Sequence, residues 1–405
     1  MCMTSKRDQS QRDQKGAQTG GGSGCFGRVL LGVMRSVRER IAPVVITVFV
    51  EENVMNVYAG LDVSLKETSV CIMDHDGAVL QECKVLSDPE ALTEALTRYG
   101  TDLKRVGIEA SALGGWLQVE LAQRGFEAIL IEAHHTHVAL STMRNKTDRN
   151  DARGIAQLMR TGWFKAVHVK SAESHRLRAL LGCRKMMVRK LVDTENEIRG
   201  TLRGFGLKTG NGSRTEFAAR VAALTEDADP LIQEIMVRLL AIRAILLEQR
   251  RKMDGLVLRT VRADEVCRRF MTVPGVGPIA ALTFRTGVDD PRRFPRSRTV
   301  GAHFGMTPRK YQSGEMDYSG RISRCGDRDV RQALFDAAGS LLRRCTKHSA
   351  LRAWGLRIAK RSSLKGATVA VSRKLAVIMH RMWLDGTDFR WSKDAGAAAE
   401  VASAV

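Results

Sequence analysis

The chain has 405 residues, a mass of 44.8 kDa and a formal net charge of +21, with 65 basic and 44 acidic residues. This length suffices for two or three domains with cores of their own, which excludes the small folds held by disulfides or metal. No uncharged apolar run approaches the ~20 residues of a membrane span. The eight cysteines lack CxxC or CxxH spacing, which predicts free thiols in a cytoplasmic protein.

Residues 1–54 begin with a polar stretch that ends in a glycine-rich segment at 20–24. Such low-complexity sequence rarely packs into a core. Neither an unbroken apolar core nor a cleavage site of a signal peptide is clear. We therefore interpret 1–54 as a disordered leader or an over-extended start, and the small-residue tail 391–405 as disordered.

From Val57 the pattern becomes α/β, and we predict a first domain over 55–165. Strands are expected at 57–63, 68–73, 78–85, 105–109 and 128–132, and helices at 89–99, 113–124 and 152–159. Asp88-Pro89 is a typical helix start, because Asp caps the first turn and Pro fits its first position. The order β-β-β-α-β-α-β-α is that of the RNase H-like fold and differs from the alternating order of parallel Rossmann sheets.

Residues 171–265 are predicted to be helical. One apolar seam has heptad spacing with a single polar member; it comprises Ile232, Ile235, Leu239, Ile242, Leu246, Gln249, Met253 and Leu256. A second, looser stripe comprises Leu177, Leu181, Val188, Leu191, Ile198 and Leu202. The pattern leaves open an antiparallel helical pair within one chain and a coiled coil that dimerises the protein.

The charge is distributed unevenly, with +3 on residues 1–54, −4 on 55–160 and +22 on 161–405. A charge so concentrated indicates a polyanionic partner, and nucleic acid is the first candidate. Aromatic residues make up only 5%, so backbone contacts are expected to outweigh base stacking. The alternative is a solvated basic surface without an anionic partner.

Four carboxylates lie where this topology would bring them together. Asp62 is in the first predicted strand and Glu109 ends the fourth, which lies beside the first in this order of strands. Asp148 and Asp151 are three residues apart, a spacing that places both on one helical face. Clustered carboxylates suit Mg²⁺, and two such ions can hold the attacking and leaving oxygens of a phosphodiester. Each carboxylate taken singly is also typical of a solvated surface or a helix cap.

The last predicted domain, 268–390, is mainly helical and basic. Val273 to Pro278 resembles the turn of a helix-hairpin-helix element, in which Gly275 and Gly277 would let backbone N–H groups reach a phosphate; an ordinary turn between helices is the alternative. Ser313 follows a basic run and is a candidate nucleophile, although the chemistry alone does not distinguish it from Ser319 or Ser323. The basic side chains expected to contact nucleic acid are Arg144, Lys146, Arg153, Arg292, Arg293, Arg296, Arg298, Arg309, Lys310, Arg321 and Arg324.

Five motifs, in order, resemble the transposases of insertion-sequence family 110, also called DEDD transposases. They begin at Tyr58, Gly107, Arg144, Pro274 and Gly305, and read YAGLDVS, GIEAS, RNKTDRNDAR, PGVG and GMTP followed by QSG. The resemblance covers about 55–390, and the Asn-Lys-Thr-Asp-x-x-Asp-Ala-Arg block is its most specific part. Met306, where leucine is usual, and the segment 324–327 depart from the family pattern.

The resemblance implies a RuvC-like domain with Asp62, Glu109, Asp148 and Asp151 as the DEDD set, a coiled-coil linker, and a C-terminal domain with Ser313 as the catalytic serine. It also implies that a circular element intermediate joins target DNA through a transient phosphoserine link. Composite sites would pair domains of different subunits in dimers that form a tetramer. An element-encoded RNA would pair with donor and target DNA.

Two other readings predict different behaviour. A RuvC-like nuclease specific for branched DNA would need the carboxylates and have no role for Ser313. A regulator that only binds nucleic acid would need neither.

Overall fold

The computed structural model describes residues 56–141 and 145–391. The predicted leader, Arg144 and all but the first residue of the predicted tail lie outside the described residues. In the part that is described, no helix is long and apolar enough to cross a membrane.

A mixed five-stranded sheet forms the centre of the N-terminal domain. Its strands are β1 (Val57–Val63), β2 (Glu67–Met73), β3 (Val79–Leu86), β4 (Leu103–Glu109) and β5 (Ala128–Ile131), in the spatial order β3-β2-β1-β4-β5. The first three strands form an antiparallel meander, while β4 and β5 run parallel to β1. At the turn before β3, Asp74 Oδ1 accepts hydrogen bonds from three backbone N–H groups, a side-chain pattern that reverses the chain.

Helices cover both faces of this sheet. They are α1 (Pro89–Thr97), α2 (Gly114–Gln123), α3 (Ala133–Leu140) and α4 (Asp148–Thr161). Helices α1 and α2 share a core with Val57, Ala59 and Leu61 of β1. Helix α4 packs with Tyr58 and Cys71 on the other face. Helix α3 was not predicted, whereas the helical segment predicted at 152–159 lies within α4.

Two long helices follow, α5 (Ala172–Gly204) and α7 (Pro230–Ala263), with the short α6 (Phe217–Leu224) between them. Helices α5 and α7 pack against each other within the chain, so the intrachain pairing left open by the sequence is formed. The predicted seam on α7 is half right. Its buried positions include Ile232, Met236, Arg243 and Val257, whereas Ile242 of the predicted seam is 49% exposed.

A buried charge cluster ties α5 to α7. Arg243 Nε donates to Glu195 Oε1 at 3.0 Å, and the two residues are 4% and 3% exposed. Arg214 binds the other carboxylate oxygen at 3.0 Å, and the Arg243 guanidinium also lies 4.9 Å from the centre of the Phe217 ring. The two arginines hold the pKa of Glu195 below its usual range, against the effect of burial. The carboxylate is therefore charged and fully partnered.

The C-terminal domain is mainly helical, as predicted, with one unpredicted β-hairpin. Its elements are α8 (Glu265–Phe270), α9 (Pro278–Val288), α10 (Ser297–His303), β6 (Pro308–Ser313), β7 (Met316–Ile322), α11 (Arg328–Arg343), α12 (Ala350–Arg361) and α13 (Leu364–Asp385). Phe270, Phe284 and Phe304 are fully buried at its centre. Leu177 and Leu181 of α5 pack against the same core, so this helix belongs to both regions.

Asp289 connects the segment that leaves the N-terminal domain to the C-terminal domain. It follows α9 with φ 67° and ψ −71°, the conformation of a γ-turn, which the hydrogen bond from Asp290 N to the Val288 carbonyl closes at 2.9 Å. Its carboxylate accepts hydrogen bonds from Ser171 N (2.9 Å), Ser171 Oγ (2.6 Å) and Ser174 Oγ (2.5 Å), and His168 Nε2 lies 2.8 Å away. Burial acts to raise the pKa of Asp289, but the hydrogen bonds from Ser171 and Ser174 hold it well below its usual range.

This arrangement predicts a pH-dependent contribution to stability. Asp289→Asn keeps the shape of the side chain but removes its charge, so we expect it to cost about 1–3 kcal/mol at neutral pH. A carboxyl whose pKa is lowered by folding stabilises fully above its unfolded pKa of ~3.9, and loses that contribution as the pH falls toward the folded value. The difference from wild type in thermal unfolding should therefore shrink below about pH 4. Asp290→Asn, an exposed neighbour, is the control; equal losses in the two variants would contradict the prediction.

Candidate catalytic site

Two glycines bring α4 unusually close to the sheet. Gly60 of β1 and Gly107 of β4 lie opposite each other in the parallel register. A Cβ atom on Gly60 would lie 2.2 Å from the Ala152 carbonyl oxygen, and one on Gly107 would lie 2.7 Å from Met159 Cγ. The Gly60 contacts are with the backbone of α4, so any larger residue there would displace the helix. The Gly107 contacts are with the side chains of Ile155 and Met159, which would have to shift.

The four predicted carboxylates lie at the end of this close contact. Asp62 and Glu109 each follow one of the glycines by two residues, and alternation along a strand places them on the same face of the sheet as the glycines. Asp148 and Asp151 occupy the first turn of α4, which Thr147 caps by accepting a hydrogen bond from Asn150 N. The glycines thus bring the start of α4 toward both strand carboxylates.

Electrostatics shows that the carboxylates act on one another. The pKa of Asp62 is raised to about 6, by burial first and then by the charges of Asp151, Asp148 and Glu109. Burial and the charge of Asp151 also raise the pKa of Glu109, while Lys146 lowers both pKa values. A bound cation would reduce the repulsion among these carboxylates.

The donor set fits a hard divalent cation by its chemistry, because all four side chains offer carboxylate oxygens. The side chains as placed are not gathered around one point: among the described residues, no three Asp, Glu, His or Cys side chains are close enough to hold a metal ion. Asp148 instead lies 3.2 Å from Lys84 Nζ in an exposed ion pair. Such a pair is weak, so it would yield readily to a cation.

The basic residues near this site have distinct surroundings. Lys146 is exposed beside the carboxylates, whereas Arg153 binds Glu82 of β3 through two nitrogens. Arg149 binds the same carboxylate, and the two arginines, Arg153 foremost, lower the pKa of Glu82 to about 2. The Glu82 contacts were not predicted; they attach the first turns of α4 to the edge strand β3. Arg153 therefore reaches a ligand only at the cost of this pair.

Ser313 is the last residue of β6 and is exposed, next to a turn in which Gly314 has φ 55°. Strand β6 is exposed along its whole length. The Tyr311 and Tyr318 rings stack at 5.0 Å across the hairpin, and Lys310 pairs with Asp317 at 3.0 Å. No strand was predicted around Ser313, and the structure places this residue at the end of one. Exposed basic residues of this region include Arg309, Arg321 and Arg324.

The glycines of the predicted helix-hairpin-helix turn differ from each other. A Cβ on Gly275 would lie 2.4 Å from the Ala337 carbonyl oxygen of α11, and its φ of 89° also favours glycine. Packing thus explains Gly275 without a ligand. Gly277 caps α9 with no neighbour within 4 Å of a Cβ.

The arginines after α9 also differ. Arg293 Nη1 donates to the Val288 carbonyl at 3.0 Å, and its guanidinium lies over the Phe294 ring. Arg292, Arg296 and Arg298 are exposed. Of the four arginines between 292 and 298, these three face solvent and are accessible to nucleic acid.

An acidic site on a mixed sheet, joined to a strongly basic helical domain, defines a nucleic-acid-processing enzyme. Two family models match the chain: one described as a transposase of the DEDD IS110 type over residues 59–206, and one described as "Transposase IS116/IS110/IS902 family" over 267–353. Together they cover more than half of the sequence. The chain belongs to the IS110 family of transposases.

Individual proteins similar to this chain are also named as transposases. The transposase for insertion sequence element IS1111A of Coxiella burnetii is 27% identical over 327 residues, which cover 79% of this chain and 87% of the relative. The transposase for insertion sequence element IS1328 of Yersinia enterocolitica is 26% identical over 287 residues, which cover 70% and 85%. A Sinorhizobium fredii protein, y4pF/y4sB, is 30% identical over 257 residues; the match spans 61% of this chain and 65% of that relative.

Proposed function

We propose that this protein is a DNA transposase and recombinase that moves an insertion sequence by strand cleavage and strand exchange. The observation that carries the proposal is the packing of Gly60 and Gly107 against α4, which brings Asp148 and Asp151 toward Asp62 and Glu109. The family membership and the basic C-terminal domain support the same function. Double-stranded DNA of the element junction and of the target is the substrate.

The strand order β3-β2-β1-β4-β5, antiparallel in its first part and parallel in its second, supports an RNase H-like, RuvC-like domain. Asp62, Glu109, Asp148 and Asp151 would hold Mg²⁺ there, with Asp148 released from Lys84. Mg²⁺ stabilises the negative charge that develops on a phosphodiester during cleavage. Lys146 balances part of the carboxylate charge and is placed to contact the DNA backbone.

Ser313 is the proposed nucleophile for strand cleavage. Its hydroxyl oxygen forms a bond to a backbone phosphorus, the bond from that phosphorus to the leaving nucleoside oxygen breaks, and the serine proton passes to water or to a base. Arg309, Lys310 and Arg321 lie on the same hairpin and supply positive charge to the developing anion. The hydroxyl at an end of the partner strand then attacks the same phosphorus, the bond from phosphorus to the Ser313 oxygen breaks, and the two strands are joined as the serine is freed.

The RuvC-like domain of one subunit is proposed to act with the serine hairpin of another, in dimers that form a tetramer. Helix α7 supports self-association, because several of its large apolar residues are exposed; these are Val237 (57%), Ile242 (49%), Ile245 (60%) and Leu256 (37%). An element-encoded RNA is proposed to choose donor and target. The turn around Gly277 and the exposed arginines would contact phosphates, in the manner of a helix-hairpin-helix element. The setting is the bacterial cytoplasm, at the nucleoid.

A RuvC-like structure-specific nuclease is the second candidate. The charged groups that shift the pKa of Asp62, namely Asp151, Asp148, Glu109 and Lys146, all belong to the N-terminal domain. That domain therefore has an acidic site without any contribution from Ser313, which favours an enzyme that cuts DNA to free ends.

Covalent trapping distinguishes the two candidates. Purified protein, labelled junction DNA, flanking RNA and Mg²⁺ are incubated and resolved on a denaturing gel. We expect a protein–DNA adduct with wild type and none with Ser313→Ala, which lacks the nucleophile, or with Asp62→Asn, which lacks the strand carboxylate. Ser319→Ala is the matched control, because Ser319 is an exposed serine on the same hairpin.

Two other outcomes of the trapping assay would contradict the role of Ser313. Free cut ends without an adduct, unchanged by Ser313→Ala and lost with Asp62→Asn, would establish the nuclease. An adduct that disappears with Ser319→Ala and persists with Ser313→Ala would show that Ser319, and not Ser313, is the nucleophile.

A further inference from the structure

A cavity of about 390 Å³ lies at the base of the β6–β7 hairpin, between α11 and α13. Three arginines line it: Arg324, Arg328 and Arg331. None of the described residues that line it is Asp or Glu. Its volume is within the ~300–1,000 Å³ range of small-molecule sites in proteins, and its charge calls for an anionic ligand.

Two of these arginines are free to bind. Within the described part of the chain, the side chains of Arg324 and Arg328 have no hydrogen-bond or ion-pair partner, whereas Arg331 Nη1 is engaged by backbone carbonyls, including that of Phe304 at 3.1 Å. Arg324 is also one of the few non-glycine residues with positive φ, at 59°. Its N–H bonds the Gly305 carbonyl at 3.0 Å, which holds this costly backbone conformation. Backbone strain kept in this way is common at binding sites.

The remaining wall suits a planar, hydrogen-bonding group. Phe335 lies one and two turns along α11 from Arg331 and Arg328, on the same face, and is half-buried in the cavity. The Gln332 amide nitrogen donates to Asp336 at 2.9 Å, which leaves its carbonyl oxygen as an acceptor. Met306 and Val369 add apolar surface. An aromatic ring, an amide acceptor and free guanidinium groups are the elements that recognise an unstacked base and its phosphate.

The distance from the cavity to Ser313 indicates how far along the strand such a nucleotide lies from the nucleotide that reacts. Ile322 lines it and pairs with Pro308 at the base of the hairpin, while Ser313 pairs with Met316 at the other end. Five residues of extended strand span about 17 Å. A stacked strand of B-DNA advances ~3.4 Å per nucleotide along its axis, so this distance corresponds to at most about five nucleotides, and to fewer where the strand is unstacked.

We propose that this cavity binds one unstacked nucleotide within about five positions of the nucleotide that reacts at Ser313, with the base on Phe335 and its phosphate between Arg324 and Arg328. The proposal rests on the proposed function, since it assumes that a nucleic-acid strand crosses the C-terminal domain. The same chemistry accepts a deoxynucleotide of the element or a ribonucleotide of a guide RNA.

Photo-crosslinking tests the position directly. The probes are a single-stranded DNA 12-mer with one 5-iododeoxyuridine and an RNA 12-mer of the same sequence with 5-iodouridine, each bound to the full-length protein and irradiated. We expect the crosslink on the tryptic peptide 332–343, which contains Phe335. The strand that gives it identifies the source of the nucleotide. Crosslinks confined to peptides that do not line the cavity would overturn the proposal.

Affinity measurements supply an independent readout on the same probes. Arg328→Gln should weaken binding roughly tenfold and lower the salt slope by about 0.7, the value for one phosphate contact of a single strand. Phe335→Leu keeps the apolar volume and should weaken binding roughly tenfold with the slope unchanged. Arg343→Gln, the same charge change at the far end of α11, should bind like wild type.

The experiments distinguish failure of the proposed function from failure of the cavity assignment. If wild type binds neither probe and forms no adduct in the trapping assay, the proposed function fails and this inference with it. If the adduct forms but Arg328→Gln and Arg343→Gln weaken binding equally, only the cavity assignment is wrong.

Discussion

Gly60→Val is expected to reduce strand cleavage at least ~100-fold, although Gly60 carries no functional group. A Cβ at this position would lie 2.2 Å from the Ala152 carbonyl oxygen and 2.3 Å from Ala156 N, so α4 must move away from the sheet. That movement takes Asp148 and Asp151 from Asp62, and a displacement of ~1 Å can cost ~100-fold in rate. The overpacking also costs about 1–3 kcal/mol of stability. Cleavage rate and thermal unfolding of the same preparation measure both effects.

Gly115→Ala is the matched control. Gly115 lies in α2 of the same domain, and a Cβ there would have no neighbour within 4 Å. Alanine in a helix is favoured over glycine by up to ~1 kcal/mol, so this variant should keep full activity with equal or slightly higher stability. If Gly60→Val cleaved DNA at the wild-type rate while folded, the close approach of α4 would have no part in catalysis.

Arg243→Ala is expected to destabilise the helical region by about 3–5 kcal/mol, among the largest losses for a single exchange in this protein. The variant leaves the Glu195 carboxylate buried without its partner on α7 and removes the cation over the Phe217 ring. Burial then raises the pKa of Glu195, since only Arg214 remains to lower it. Chemical denaturation, followed by the loss of helical signal, measures the change.

Two further variants separate the buried pair from charge in general. Arg238→Ala removes an exposed arginine from the same helix, where it pairs with Glu234, and should cost below ~1 kcal/mol. The double variant Glu195→Gln/Arg243→Met removes both charges and should recover much of the loss, because an unpaired buried charge is the main penalty. Equal losses for Arg238→Ala and Arg243→Ala would show that the buried pair adds nothing.

Much of the N-terminal fold is legible in the sequence because its signals are local. Alternating and apolar runs with a turn at Asp76-Gly77 gave β1 its observed bounds and put β2 and β3 within one residue at most of their ends. Asp88-Pro89 marked the start of α1, and Asp88 caps it as expected. Helix α3 was missed because Ala133–Leu140 contains three histidines and no amphipathic repeat.

Features that depend on tertiary contact were not accessible in the same way. The seam of α7 shifts because Arg243 is buried beside Glu195 while Ile242 remains exposed, an inversion that apolar spacing alone cannot anticipate. The hairpin was missed because every residue of β6 is exposed and its polar sequence does not alternate. A signal was present in β7, where Met316, Tyr318 and Ile322 alternate with Asp317, Ser319 and Arg321.

The sequence identifies the four candidate carboxylates, but the means by which they approach one another was not predicted. No role was assigned to Gly60 or Gly107 from the sequence. A signal was present, since each glycine precedes a site carboxylate by two residues, in Gly60-x-Asp62 and Gly107-x-Glu109. Equal spacing on two adjacent parallel strands indicates a shared helix contact, and the pair could have been found on that ground.

The exposed hairpin of β6 and β7 leaves an open hydrogen-bonding edge on each of its two strands. Open edges recruit strands from other molecules, and charged side chains are the usual deterrent. Lys310 is paired with Asp317, so Arg309 and Arg321 supply the like charge that keeps two copies apart over a Debye length, which falls from ~30 Å at 0.01 M salt to ~3 Å at 1 M. Concentrated salt releases nucleic acid from basic proteins, but it also screens the charge that keeps the hairpins of two copies apart. Salt high enough to remove bound nucleic acid therefore favours aggregation through the open strand edges, so the two effects require opposite salt concentrations.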